Sequence, residues 1–172
     1  MIKISMSGNP GELLYSKTEN GESRFPVARL EKALPGLNSE TIEHVNARVE
    51  DDLVVGVVTV AQGQGGLVFV WDPIRDKLLH VSDGTYALTA VIKGDKVISL
   101  HDVAYWGVPQ HFELKCISFG TMDAGIDPEP YSKPVPEFSS EYDGNPDQAD
   151  LILKDSRLYM KLNEETLPVD GE

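Results

Sequence analysis

A chain of 172 residues, 41% hydrophobic and 25% charged, is long enough for one domain with a substantial core and has the composition of an ordinary globular protein. Fifteen Lys and Arg against 28 Asp and Glu leave a net charge of −13, and without clustered basic residues the chain is not expected to bind nucleic acid or a membrane surface. Its single cysteine, Cys116, excludes an internal disulfide and a zinc site built on cysteines.

Met1–Met6 alternates and reads as a short strand. Met1–Gly8 has no basic stretch leading into an apolar one, so no secretory signal is read there. Turn clusters, SGNPGE and TENGES, flank Leu13-Leu14-Tyr15. In FPVARLEKALPG, Pro26 suits a first helical position, Val27, Leu30 and Leu34 form a stripe, and Pro35-Gly36 stops the helix. A second short helix is expected over Ser39–Arg48, with Ile42 and Val45 on its buried side.

From Leu53 the chain becomes rich in Val and Ile, cut by short turns. Six strands are expected, at 53–61, 67–71, 77–81, 86–92, 96–106 and 110–118. Their short connections require antiparallel neighbours, hence a meander. The longest apolar stretch, Leu53–Ala61, contains Gly56 and Thr59 and is too short to span a bilayer. The expected location is cytoplasmic.

Residues 119–150 break this pattern with five prolines and eight acids against one basic residue, Lys133, for a net charge of −7. PEPYSKPVPEF within them reads as a stiff strap across the domain, with Tyr131, Phe138 and Tyr142 to pin it. DLILKDSRLYMKL then forms a hairpin, and the tail from Asn163 is polar. The expected fold class is mainly β, an antiparallel meander forming a sandwich or open barrel, with two short N-terminal helices. The single domain, 1–172, divides into a strand and two helices (1–52), a six-strand meander (53–118), an acidic Pro-rich connector (119–150), a C-terminal hairpin (151–162) and a tail (163–172).

Trp71-Asp72 ends one apolar run and Asp83-Gly84 the next, which resembles the punctuation of β-propeller blades. The likeness to WD-repeat hairpins covers residues 65–106 and departs from that pattern. No Gly-His pair lies upstream, and no second Trp-Asp follows one blade length later. A closed propeller also needs at least four blades of about 40–45 residues, more than this chain holds once its N-terminal and Pro-rich parts are set aside. Trp71 reads more simply as a large residue at a strand end, covering an edge of the core.

The densest chemistry lies in HDVAYWGVPQHFELKC. With Trp106 paired to Gln110, one face carries Asp102, Phe112, Leu114 and Cys116, and the other His101, Tyr105, His111, Glu113 and Lys115. In that register His101 faces Lys115 and stands about 13 Å from His111, too far to share a metal. Cys116 falls opposite both histidines, without a base in reach. No Gly-x-Ser-x-Gly elbow occurs, and Gly63-Gln64-Gly65-Gly66 is a hairpin turn, not a phosphate loop. Asp72, Asp76 and Asp83 suit turn hydrogen bonding. The sequence thus designates no catalytic, cofactor-binding or metal-binding residue.

The expected function is a non-catalytic acidic module binding a basic protein partner, as an adaptor or neutralising protein would. The alternative is a small-molecule- or carbohydrate-binding protein, or a hydrolase, using the polar face of residues 101–115 with Tyr105, His111, Glu113, His101 or Trp71. A third reading is an edge-pairing subunit of a larger β assembly, a homo-oligomer.

Overall fold

The computed structural model describes residues 3–6, 12–18, 21–30, 40–60, 65–102, 112–119 and 131–169. These form four antiparallel sheets, each a run of strands consecutive in the chain. The first holds β1 (Lys3–Met6), β2 (Glu12–Thr18) and β3 (Gly21–Pro26). The second holds β4 (Ile42–Glu50), β5 (Leu53–Val60), β6 (Gly66–Asp72) and β7 (Lys77–Asp83). The third holds β8 (Ala87–Lys93), β9 (Lys96–Asp102), β10 (Phe112–Ser118) and β11 (Tyr131–Lys133). The fourth holds β12 (Ala149–Lys154), β13 (Arg157–Leu162) and β14 (Glu165–Pro168).

The sheets pack face to face in chain order, which makes three cores. Phe25 and Leu30 meet Val54, Val58, Phe69 and Trp71 between the first and second sheets. Val55, Val57, Val68 and Val70 meet Ala87, Ala90, Ile92 and Val97 between the second and third. Val91, Ile98, Leu100, Leu114 and Cys116 meet Leu151, Leu158, Met160 and Leu162 between the third and fourth. The middle sheets are therefore covered on both faces. This is why β5, β6, β8 and β9 are nearly continuous apolar runs without alternation. Successive propeller blades stack in the same way.

Side chains of β4 tie the sheets together along their first strands. His44 Nε2 donates to Leu88 O at 3.0 Å and Asn46 Nδ2 to the same oxygen at 3.1 Å. The Ile92 N–H donates to Glu50 Oε2 at 2.8 Å. Arg48 reaches furthest, donating to Thr89 Oγ1 and Leu151 O, each at 2.6 Å, and to Asp150 Oδ1. Backbone groups on the first-strand edges of the third and fourth sheets thereby find partners they would otherwise lack.

Over the described residues the strands of the meander fall close to their expected spans, with 103–106 and 110–111 lying outside them, but three expectations fail. The N-terminal helices are absent from the described residues. Val27–Leu30 is a single 3-10 turn that drops Leu30 into the first core, and residues 31–39 lie outside the described residues. Ser39–Arg48 is replaced by β4, because Val45, Ala47 and Val49 alternate onto one core, and a bulge between Ile42 and His44 brings Ile42 to it as well. The meander is also interrupted, since β7 and β8 belong to different sheets. Between them Gly84 crosses the start of β6. A Cβ on Gly84 would stand 2.5 Å from the Leu67 carbonyl carbon, and one on Gly66 would stand 2.5 Å from Gly84 O. Two glycines thus let backbone pass against backbone, and the Gly84 N–H bonds Gly66 O at 2.9 Å. The polar tail, finally, is structured through β14, and Val169 is buried.

Candidate functional site

Of the residues that the sequence brought forward, Trp71 lies on β6 of the second sheet, and His101 and Glu113 pair across β9 and β10 of the third. Trp71 is fully buried in the first core, its ring 5.1 Å from Phe25. Its Nε1–H donates to Asp76 Oδ1 at 3.1 Å, and Asp76 also receives both terminal nitrogens of Arg29 at 2.6 Å each. The contact with Arg29 is the largest influence on the Asp76 carboxyl and, with a lesser one from the Trp71 hydrogen bond, holds its pKa below the ordinary value against the opposing effect of burial. Asp72 turns inward on its own loop, accepting from the Ile74 and Arg75 N–H groups at 3.0 and 3.1 Å.

His101 is also fully buried. It pairs with Glu113 and not Lys115, a register two residues from the one expected. The sorting of faces is as expected for the described residues, with Leu100, Phe112, Leu114 and Cys116 in one core. The opposite face, however, packs on the second sheet through Val97, and His101 on that face is fully buried. Nδ1–H donates to Thr85 O at 2.8 Å, which leaves Nε2 to accept from Ser99 Oγ at 2.7 Å. Burial is the main cause that lowers the His101 pKa, so the ring is kept neutral. Glu113 is half-buried, and Tyr105 and His111 lie outside the described residues.

The surface with the most distinctive chemistry is the acidic strap. Val135, Phe138 and Tyr142 pack on the core between the third and fourth sheets. The Tyr142 ring lies 4.7 Å from Phe112, and its hydroxyl donates to Asp102 Oδ2 at 3.2 Å. Burial, with Asp102 beside it, raises the Tyr142 pKa and keeps the phenol protonated. On β14 the Glu165 carboxylate accepts from Ser139 N at 2.8 Å, Ser139 Oγ at 3.0 Å and Ser140 N at 3.3 Å. Asn163 Nδ2 donates to Glu141 O at 3.1 Å. Pinned in this way, the strap leaves Glu137, Glu141, Asp143 and Asp147 exposed.

Beside the strap lies a cleft of about 260 Å³, walled by Glu43, His44, Tyr86, Asp102, Tyr142 and Gly144. Tyr86 is 46% exposed and adopts φ 60°, whereas the other described non-glycine residues with positive φ are Asp, Asn or Ser. A left-handed conformation is common for Asp and Asn and strained for a bulky aromatic residue. No sequence pattern signalled it, since Tyr86 reads as the first residue of an apolar strand. Tyr142, by contrast, was legible as a pin.

Among the described residues no three His, Cys, Asp or Glu side chains stand where they could hold a metal ion, and no helix is long and apolar enough to cross a membrane. No protein-family model matches the chain, and comparison with curated proteins and with solved structures finds no significant match.

Proposed function

We propose that the chain is a non-catalytic interaction module that presents its acidic strap to a basic protein partner, as an adaptor or a neutralising protein does. The observation that carries this reading is the strap's order. Glu137, Glu141, Asp143 and Asp147 are exposed on a segment tied down by Phe138, Tyr142 and Glu165. Four carboxylates at set positions can match a basic face in register, and they lose less entropy on binding than a loose acidic tail. Tyr142 and Gly144 of the same segment wall the cleft that holds Glu43 and Asp102. The negative surface therefore continues into a concavity whose carboxylates and aromatic rings suit a lysine or arginine side chain.

The test is capture of proteins from the native source at low salt, with wild type and the Glu137→Lys, Glu141→Lys, Asp147→Lys triple variant run in parallel. All three positions are exposed, so the two forms are expected to melt alike. A basic protein retained by wild type, released by modest salt and not retained by the variant supports the reading. Equal retention by both forms, or retention of no basic protein, overturns it.

A further inference from the structure

The cleft beside the strap is walled by side chains from irregular backbone, and its volume of about 260 Å³ suits a single head group more than a drug-sized ligand. Among the described residues that wall it there are two carboxylates, Glu43 and Asp102, and no lysine or arginine.

Glu43 is the extra residue of the β4 bulge. Ile42 pairs with Val60 and His44 with Thr59, which leaves Glu43 opposite no residue of β5. A bulge bends its strand and re-aims a side chain, and this one leaves Glu43 exposed at the cleft.

Tyr86 is held in its left-handed conformation by hydrogen bonds on either side. Its carbonyl accepts from the Asp102 N–H at 2.9 Å, the Ala87 N–H bonds Gly84 O at 2.8 Å, and Thr85 O accepts from His101 Nδ1 at 2.8 Å. Asn or Gly would take this conformation with less strain. A ring that is 46% exposed gains little from burial, so burial does not offset the strain and the ring calls for another use. Asp102 ties the two rings of the cleft to one point, through its N–H to Tyr86 and through its carboxylate to the Tyr142 hydroxyl.

Aromatic faces beside carboxylates attract a cation. The walls decide which kind. Val60, Ala87 and Leu88 supply an apolar lining that suits a methylene stem. One Asp102 oxygen is engaged by Tyr142, which disfavours the two-oxygen grip that a guanidinium fork prefers. An ammonium group is a point charge and has no such requirement.

We propose that this cleft binds an alkylammonium group, a lysine side chain in preference to arginine, with its charge between Glu43 and the rings of Tyr86 and Tyr142 and its methylenes against Val60 and Leu88. That the lysine belongs to the partner rests on the strap reading above. The site itself does not, and a free amine is the other source of the same chemistry.

The full chain is titrated with butylammonium, butylguanidinium and, as the neutral control, butanol at constant pH and ionic strength, and backbone amide shifts are followed by NMR. The expected result is saturable shifts at residues 43–44, 86–88, 102 and 142 with butylammonium, weaker binding of butylguanidinium and no saturation with butanol. Tyr86→Asn removes the ring and accepts the left-handed conformation. It should melt no lower than wild type while binding butylammonium about tenfold more weakly. Glu43→Gln should weaken binding about threefold. Capture from the native source with Tyr86→Asn separates the two sources. Loss of the basic protein retained by wild type assigns the ammonium group to its lysine, and undiminished capture assigns it to a free amine. If wild type captures nothing, the strap reading fails while the titration still decides the site. No saturation with butylammonium, equal binding of butylguanidinium or butanol, or equal affinity in Tyr86→Asn overturns the proposal. So does a lower melting temperature in that variant, which would mark the ring as a packing residue.

Discussion

Gly56 is an opening made for another residue. A Cβ there would lie 2.7 Å from the tip of the Phe69 ring and 3.1 Å from the Ala47 Cβ. That ring stacks on Phe25 at 5.3 Å and 11° and so joins the first two sheets. Gly56→Ala should overpack this contact and destabilise the chain by about 1–3 kcal/mol, read as a lower urea midpoint at unchanged slope. An unchanged midpoint would mean that Phe69 has room to move, against the packing described here. At His101 the variable is pH. Its pKa is lowered mainly by burial, so the unfolded chain binds the proton more readily than the native one. The contribution of this histidine is therefore complete above its ordinary value of 6.5 and declines as pH falls below it toward the depressed native value. His101→Gln retains a donor for Thr85 O and does not titrate. The wild-type minus variant difference in unfolding free energy should shrink on acidification below pH 6.5, and a flat difference would show that the ring is not held neutral.

Strands were more legible than their grouping into sheets. Runs such as 67–71 and 86–92 announced their boundaries to within a residue because turn residues interrupt apolar stretches at the right intervals. The missing alternation in those runs was the signal for sheets covered on both faces, and a single meander left it unexplained. The break after β7 was harder to foresee, since it depends on a close backbone approach at Gly66 and Gly84 that a turn-like Asp83-Gly84 does not distinguish from a hairpin. Residues 42–49 misled for another reason. Ile42 and Val45 are spaced for a helix, and only the bulge reconciles them with the period-two set Val45, Ala47 and Val49. The strap was visible from its prolines and aromatics, whereas Glu165, its main tie, lay in a tail read as merely polar. Glu165→Ala removes the acceptor for Ser139 and Ser140. Hydrogen exchange at those two amides should quicken while β12 and β13 stay protected, and unchanged exchange would mean that the aromatic pins alone hold the segment.

At the scale of the whole molecule, stability depends on adjacent sheets staying stacked, and Arg48 is the side chain that spans most of them. From β4 it donates to Thr89 on β8 and to Leu151 and Asp150 on β12, linking the second, third and fourth sheets with one guanidinium group. Its side chain is 23% exposed and that of Asp150 45%, so the ion pair itself is partly screened, and the bonds to Leu151 O and Thr89 carry more of the effect. Lysine cannot replace it, because a single ammonium group cannot meet three acceptors in a fork geometry. Arg48→Lys and Arg48→Met should therefore each destabilise the chain by roughly 2 kcal/mol, the loss expected for charge-assisted bonds that leave a carbonyl unpartnered. The location of that loss is the sharper observable. The fourth sheet is the last in the stack and packs on the third through a single apolar face. Its amides should lose protection by about thirtyfold in either variant, while β5 and β6, covered on both sides, keep theirs. A uniform loss across all four sheets would instead mark the stack as one cooperative unit, with Arg48 contributing globally. No change in either variant would mean that the apolar cores alone set the order of the sheets.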